Sequence, residues 1–359
     1  MRIISLFVAS VGMLLMTQSC SNSKAPAVGN GQMPRGEAQA EITAAADALI
    51  AYTDTVEGVT LQSVMIAQHG KVIYEKWVNG GAADTPHVMH SVSKSFCATA
   101  VGMLVDDGKL KVTDKVINFF PDQLPAEVSD NLKAMTIRDL LTMNCGHETE
   151  PSVRHNGDST DWVSAFLAHP VTKQPGTWYC YNSIGTYMLS AIVQKVSGQK
   201  VVDFLTPRLF EPLHIDKPRW DESPQGINCG GWGLFIKTED MLKFGQLFLQ
   251  QGQWEGKQLL SREWVAEASA CQVPSVPAGT RPDEVEAKGL NTDNCAWLLG
   301  YGYQMWRCPD NAYRADGARG QYIIVMPDQD AVIAITADSP DLQAELSSIY
   351  KYLFPVLKK

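Results

Sequence analysis

The chain has 359 residues, 45% of them hydrophobic and 19% charged, with a formal charge of −9 at pH 7. Length and apolar content suffice for a large core, so disorder and low-complexity repeats are excluded as organising features. An acidic chain lacks the basic surface that neutralises phosphates, so no nucleic-acid partner is expected.

Arg2 precedes an apolar run over residues 3–16, followed by Thr17-Gln18-Ser19-Cys20. This is the layout of a secretory signal peptide over residues 1–20, with Cys20 placed where a bacterial lipoprotein signal carries its lipid-modified cysteine. The expected location is therefore exported, periplasmic or cell-envelope, with an N-terminal lipid as the one membrane contact. Residues 21–40 are rich in Ser, Asn, Gly, Ala and Pro and read as a flexible tether. The fold is expected over residues 41–359.

Ile42, Ala45, Ala46 and Leu49 recur at helical spacing, and two apolar runs, 61–67 and 72–77, flank the turn sequence Gln68-His69-Gly70-Lys71. A helix opens near Ser91, continues through Phe96, Val101 and Leu104, and stops at Asp107-Gly108. Thr136-Ile137-Arg138-Asp139 has the form of a capping box. Further helices are predicted over 183–196, 201–205, 239–249 and 262–268, and strands over 301–306, 321–326 and 331–336, with a last helix after Ser339-Pro340. Helix and hairpin at one end, strands and helix at the other, predict an α+β fold: one antiparallel sheet built from both chain ends (about 41–90 and 298–359) and a helical lobe over about 91–297.

Eight cysteines stand at 20, 97, 145, 180, 229, 271, 295 and 308, without a CxxC pair; acylation of Cys20 leaves an odd seven, and Cys295 with Cys308 is a candidate loop closure. His87-Val88-Met89-His90 has no second cluster of ligands, so no metal site is expected.

Three stretches carry chemistry. In Ser91-Val92-Ser93-Lys94 the three-residue spacing puts the Lys94 amine over the Ser91 hydroxyl within one helical turn, as a nucleophile needs of its base. The same spacing suits an ordinary N-cap beside a solvated lysine. Tyr181 lies in Pro175-Gly176-Thr177-Trp178-Tyr179-Cys180-Tyr181-Asn182-Ser183, a loop entering a helix, where a phenol close to a lysine can relay a proton or simply pack its ring. Tyr313-Arg314-Ala315-Asp316-Gly317-Ala318-Arg319-Gly320-Gln321 is punctuated by glycines on or beside a strand, which mark either a bulge or the close approach of a ligand.

In this order, with Gly230-Gly231-Trp232-Gly233 and Tyr301-Gly302-Tyr303 between them, these stretches resemble the serine β-lactamase and penicillin-binding-protein superfamily, in its class C-like branch. The resemblance covers roughly residue 41 to the end and implies a β-lactamase/transpeptidase-like fold. It implies a serine hydrolase for ester, amide or peptide substrates: Ser91 attacks, Lys94 and Tyr181 move the proton, the Ser91 and Ala318 amides form the oxyanion hole, and no cofactor or metal is needed. Substrate contacts would come from Asn182, Ser183, Trp232, Gly317 and Arg319. Two positions depart from the family pattern: Asn182 stands one residue after Tyr181 rather than two, and Ala315 replaces the Lys or His that helps recognise a carboxylate. An extended strand would put 315, 317 and 319 on one face and let Arg319 supply the missing cation. A β-lactamase or DD-peptidase using Arg319, and a catalytically silent protein that captures cell-wall fragments, are the alternatives.

Overall fold

The computed structural model describes residues 31–153 and 160–357; the expected signal segment, Cys20 and the first half of the tether lie outside them. Six antiparallel strands form the main sheet: β1 (Leu61–Gln68), β2 (Lys71–Trp77), β3 (Trp306–Arg307), β4 (Tyr313–Gly317), β5 (Gln321–Met326) and β6 (Ala331–Ala337), in the spatial order β2-β1-β6-β5-β4-β3. The two chain ends meet at the sheet's centre, where Val64 stands opposite Ile335. The expected sheet from both termini is thus what forms.

Every residue of β5 and β6 is buried, because the sheet is covered on both sides. Period two sorts the side chains. Val64, Ile66, Ile324, Ile333 and Ile335 face helices α1 (Ala40–Thr53) and α5 (Leu342–Tyr352), whereas Met65, Ala67, Ile323, Val325, Val332 and Ala334 face the larger core. That second core contains α2 (Ser93–Asp106), α3 (Ser183–Ser197) and α4 (Thr238–Leu249). Gly245 lets α4 lie flat on the sheet, since a Cβ there would sit 2.4 Å from Val332. A helix from the middle of the chain therefore covers the sheet directly, and the boundary between lobes does not follow residue number.

Local chemistry explains most elements. The β1–β2 hairpin turns on His69 and Gly70, both at positive φ (52° and 72°), which matches the twist of the flanking strands. The Thr136/Asp139 capping box forms, and α2 ends at Gly108 with φ 70°. Three expectations are corrected. Residues 31–40, the second half of the expected tether, are built into the fold: Met33 is buried and Arg35 bridges Val72 while pairing with Glu75 and Glu239. No strand runs over 301–306, because the Gly302 N–H bonds the Met305 carbonyl, and buried Gln304 (φ 60°) ties that turn to Thr186 and the carbonyls of Leu140 and Leu141. Only Trp306 and Arg307 pair with β4. Cys295 and Cys308 are both free, and the Cys308 sulfur instead accepts from Arg314 and Tyr350.

Candidate active site

Ser91 occupies a 3₁₀ turn, His90–Val92, that runs into α2. The turn is forced: His90 has φ 44°, a left-handed conformation that costs a non-glycine residue about 1 kcal/mol. Ser91 is half-buried at the end of this bend, and Lys94, one turn on, is only 1% exposed.

The Lys94 ammonium makes three short contacts, donating to Ser91 Oγ (2.9 Å), Ser183 Oγ (3.0 Å) and the Gly231 carbonyl (2.7 Å). Its Nζ also lies 4.9 Å from the centroid of the Tyr181 ring. Three separate stretches of sequence, around Ser91, Tyr181–Ser183 and Gly231, therefore converge on one buried amine. Such burial is tolerable only because the donors find acceptors. Ser183 was expected to meet substrate; its hydroxyl faces Lys94 instead. Gly231 is the participant that sequence reasoning missed, although the Gly230-Gly231 pair signalled a close approach: a Cβ at Gly231 would fall 2.7 Å from the Ser183 carbonyl.

Tyr181 is held by aromatic packing. Its ring stacks on Trp306 (5.6 Å between centroids, 24° between planes) and meets Tyr301 edge-on at 6.4 Å. The following residue has a different task from the one expected. Asn182 is fully buried as the N-cap of α3, its Oδ1 accepting from the Gly185 N–H (2.9 Å) and its Nδ2 lying 3.1 Å from His147 Nδ1. A side chain so engaged cannot also receive substrate, so Asn182 is corrected from a substrate contact to a cap. Burial pushes the His147 ring down to about 3, with His169 adding to the shift, which keeps it a neutral acceptor for Asn182. Trp232 flanks Gly231 half-buried, with its ring 5.7 Å from Trp162 and its carbonyl accepting from Trp220.

The strand side of the site is β4 and the turn after it. Gly317 packs against the bend that carries Ser91: a Cβ there would lie 2.5 Å from the Met89 carbonyl, so bareness at 317 sets how closely β4 approaches. Ala315 is buried and offers no polar group. The strand ends at Gly317, and Ala318, Arg319 and Gly320 form a tight turn with positive φ at Arg319 (66°) and Gly320 (87°). Arg319 therefore does not continue the 315/317 face. It is exposed and pairs with Asp338 at the rim, near His90, whose imidazole is held below its usual range by burial first and by Arg319 second. Ala318 is exposed at the start of the turn, beside Gly317. Among the described residues, no group of three or more His, Cys, Asp or Glu is placed to hold a metal ion.

The Beta-lactamase family model matches residues 46–353, and the chain belongs to that family. By class it is a serine hydrolase of the β-lactamase-related type. It is 25% identical over 306 residues to the 6-aminohexanoate-dimer hydrolase of Paenarthrobacter ureafaciens, covering 80% of this chain and 74% of the relative. The fold is shared with a penicillin-binding protein homologue from Caulobacter crescentus (TM-score 0.68, 16% identity, 90% of this chain and 97% of the other). It is also shared with EstCE1, a hydrolase with promiscuous acyltransferase activity (TM-score 0.67, 17% identity, 89% and 99%).

Proposed function

We propose that the protein hydrolyses small esters or amides through a Ser91 acyl-enzyme. The observation that carries this reading is the 2.9 Å contact between Lys94 Nζ and Ser91 Oγ inside a buried amine site. In its neutral form Lys94 takes the Ser91 proton as Oγ attacks the substrate carbonyl carbon, and Tyr181, with its ring beside Nζ, passes a proton to the leaving group. Water then attacks the acyl carbon, donates its proton back through the same groups, and frees the acid and Ser91. The amides of Ser91 and Ala318 hold the oxyanion, a contribution of about 3 kcal/mol to the barrier in comparable sites. No step calls on a metal or cofactor.

Recognition of a substrate carboxylate is poorly served. Ala315 has no charge to offer, and Arg319 is engaged with Asp338. β-Lactams should therefore be turned over slowly, and neutral esters or amides faster. The relative named for hydrolysing a 6-aminohexanoate dimer and the neighbour described as a promiscuous acyltransferase support acyl transfer with a substrate other than a β-lactam. The test is labelling by a fluorophosphonate and turnover of short p-nitrophenyl esters, a fluorescent penicillin and a chromogenic cephalosporin, with Ser91→Ala as control. Labelling at Ser91 with ester turnover is the expected result. Rapid cephalosporin turnover would favour a β-lactamase or DD-peptidase of the class C-like branch, and no labelling would leave a binding protein. We further propose export with a lipid anchor on Cys20, resting on the N-terminal sequence alone; a free amine on Cys20 or Ser21 in mass spectrometry of the mature N-terminus would refute it.

A further inference from the structure

Directly behind the Tyr181 shelf lies a buried ion pair to which the mechanism gives no role. Arg314 is fully buried on β4, and its Nε donates to Asp316 Oδ2 at 2.9 Å. The same carboxylate oxygen accepts from Trp297 Nε1 at 2.9 Å. The guanidinium also donates to the Arg307 carbonyl (3.1 Å) and the Tyr350 hydroxyl (3.2 Å), while Nη2 has no hydrogen-bond partner among the described residues. Stability is a poor account of such a pair, because desolvating both charges offsets most of their attraction, and an unsatisfied buried donor adds to the cost.

Its contacts lead toward the active site. The guanidinium carbon lies 5.6 Å from the Trp297 ring centroid and 5.9 Å from that of Trp306, the residue opposite Arg314 on β3. Trp306 is the ring on which Tyr181 stacks, and Tyr181 lies against Lys94. We infer that Arg314 and Asp316 are positioning residues: they clamp Trp297 and Trp306 into the shelf that sets Tyr181 against Lys94 and Ser91. Ala315 carries no charge, and the arginine one residue earlier is turned inward, where it orders the proton relay.

This inference rests on the reading of Ser91 as nucleophile, and the experiment separates the two. Asp316→Asn keeps an acceptor for Trp297 and removes the charge; Trp306→Phe shrinks the shelf. Each is expected to lower kcat for a p-nitrophenyl ester about tenfold with KM within about twofold, and to slow fluorophosphonate labelling in proportion, as misplacement of a catalytic group does. Because both act through Tyr181, the double variant should fall no further than about threefold below the worse single one. Should Asp316→Asn not fold, Trp297→Phe removes the indole N–H from the same carboxylate and replaces it in the cycle. Normal kcat with only a lowered melting temperature, or losses that multiply in the double variant, overturns the inference. Wild-type protein that labels at Ser91, beside variants that label as fast, overturns it alone; wild-type protein that does not label overturns the Ser91 reading as well.

Discussion

The two walls of the active site are built on different terms. The helix-borne wall, Ser91, Lys94, Ser183 and the Gly231 carbonyl, is held by hydrogen bonds of 2.7 to 3.0 Å around one buried amine. The strand-borne wall is made of what is missing: a bare Gly317 pressed against the bend, a buried apolar Ala315, and a cation at the rim tied to Asp338. The helix-borne wall supplies the nucleophile and its base, and the strand-borne wall sets how closely the sheet approaches them while Ala315 offers substrate no charge. Variants on each wall measure what that wall contributes.

The largest effect is expected at the amine. Lys94→Met should lower kcat by at least ~10²-fold, the usual minimum for losing a general base. Lys94 is 1% exposed, and desolvating an amine is costly even where its donors find acceptors, whereas methionine brings no charge into the same space. The melting temperature of Lys94→Met should therefore rise. A calorimetric scan showing no rise would break the argument that the amine is strained.

Gly317→Ala tests the other wall. Its Cβ would push on the Met89 carbonyl and move Ser91 relative to its base, which should cost up to ~10²-fold in kcat and about 1–3 kcal/mol of stability, read from ester kinetics and urea unfolding. An active, stable variant would show that the strand's approach is not limiting.

A smaller effect concerns the cap that aligns α3. His147 is neutral when folded, held to about 3, and titrates near 6.5 when unfolded. Between those values the unfolded chain binds the extra proton, so the stability due to this group is full above about pH 6.5 and declines as pH falls, by about 2 kcal/mol at pH 5. His147→Gln, which can still accept from Asn182, should lose that part of the slope in urea titrations at pH 5 and 7. Equal slopes would mean that the ring is charged in the folded protein.

The smallest effect is expected at Arg319. An exposed ion pair contributes about 0–1 kcal/mol, so Arg319→Ala should leave stability and neutral-ester kcat/KM within about twofold of wild type. A larger loss confined to carboxylate-bearing substrates would make the rim cation a recognition group and blur the contrast between the walls.

What could be read in advance follows the range of the interactions. The β1–β2 turn, the capping box at Thr136 and the Ser91–Lys94 pairing depend on neighbours three or four residues apart, and their spacing was sufficient. The misreadings concern choices between two local options settled by distant partners. Asn182 could cap or recognise, and His147 with the start of α3 decided it. Arg319 could extend a strand or turn, and the positive φ at 319 and 320 turned it. The inward Arg314 had no sequence signal, because its partners Trp297 and Tyr350 come from elements outside the strand.

The central pairing of β1 with β6 has a consequence for assembly. Ser63 and Thr336, whose hydroxyls meet at 2.6 Å, are 273 positions apart. Closing so wide a loop is entropically expensive and kinetically late. Until the last strands are made, β1 has no partner for the edge that pairs with β6, and α4 lacks the surface on which it settles. The molecule should therefore stay open, sticky and dependent on protection until its last strands arrive, and then close in a single late step.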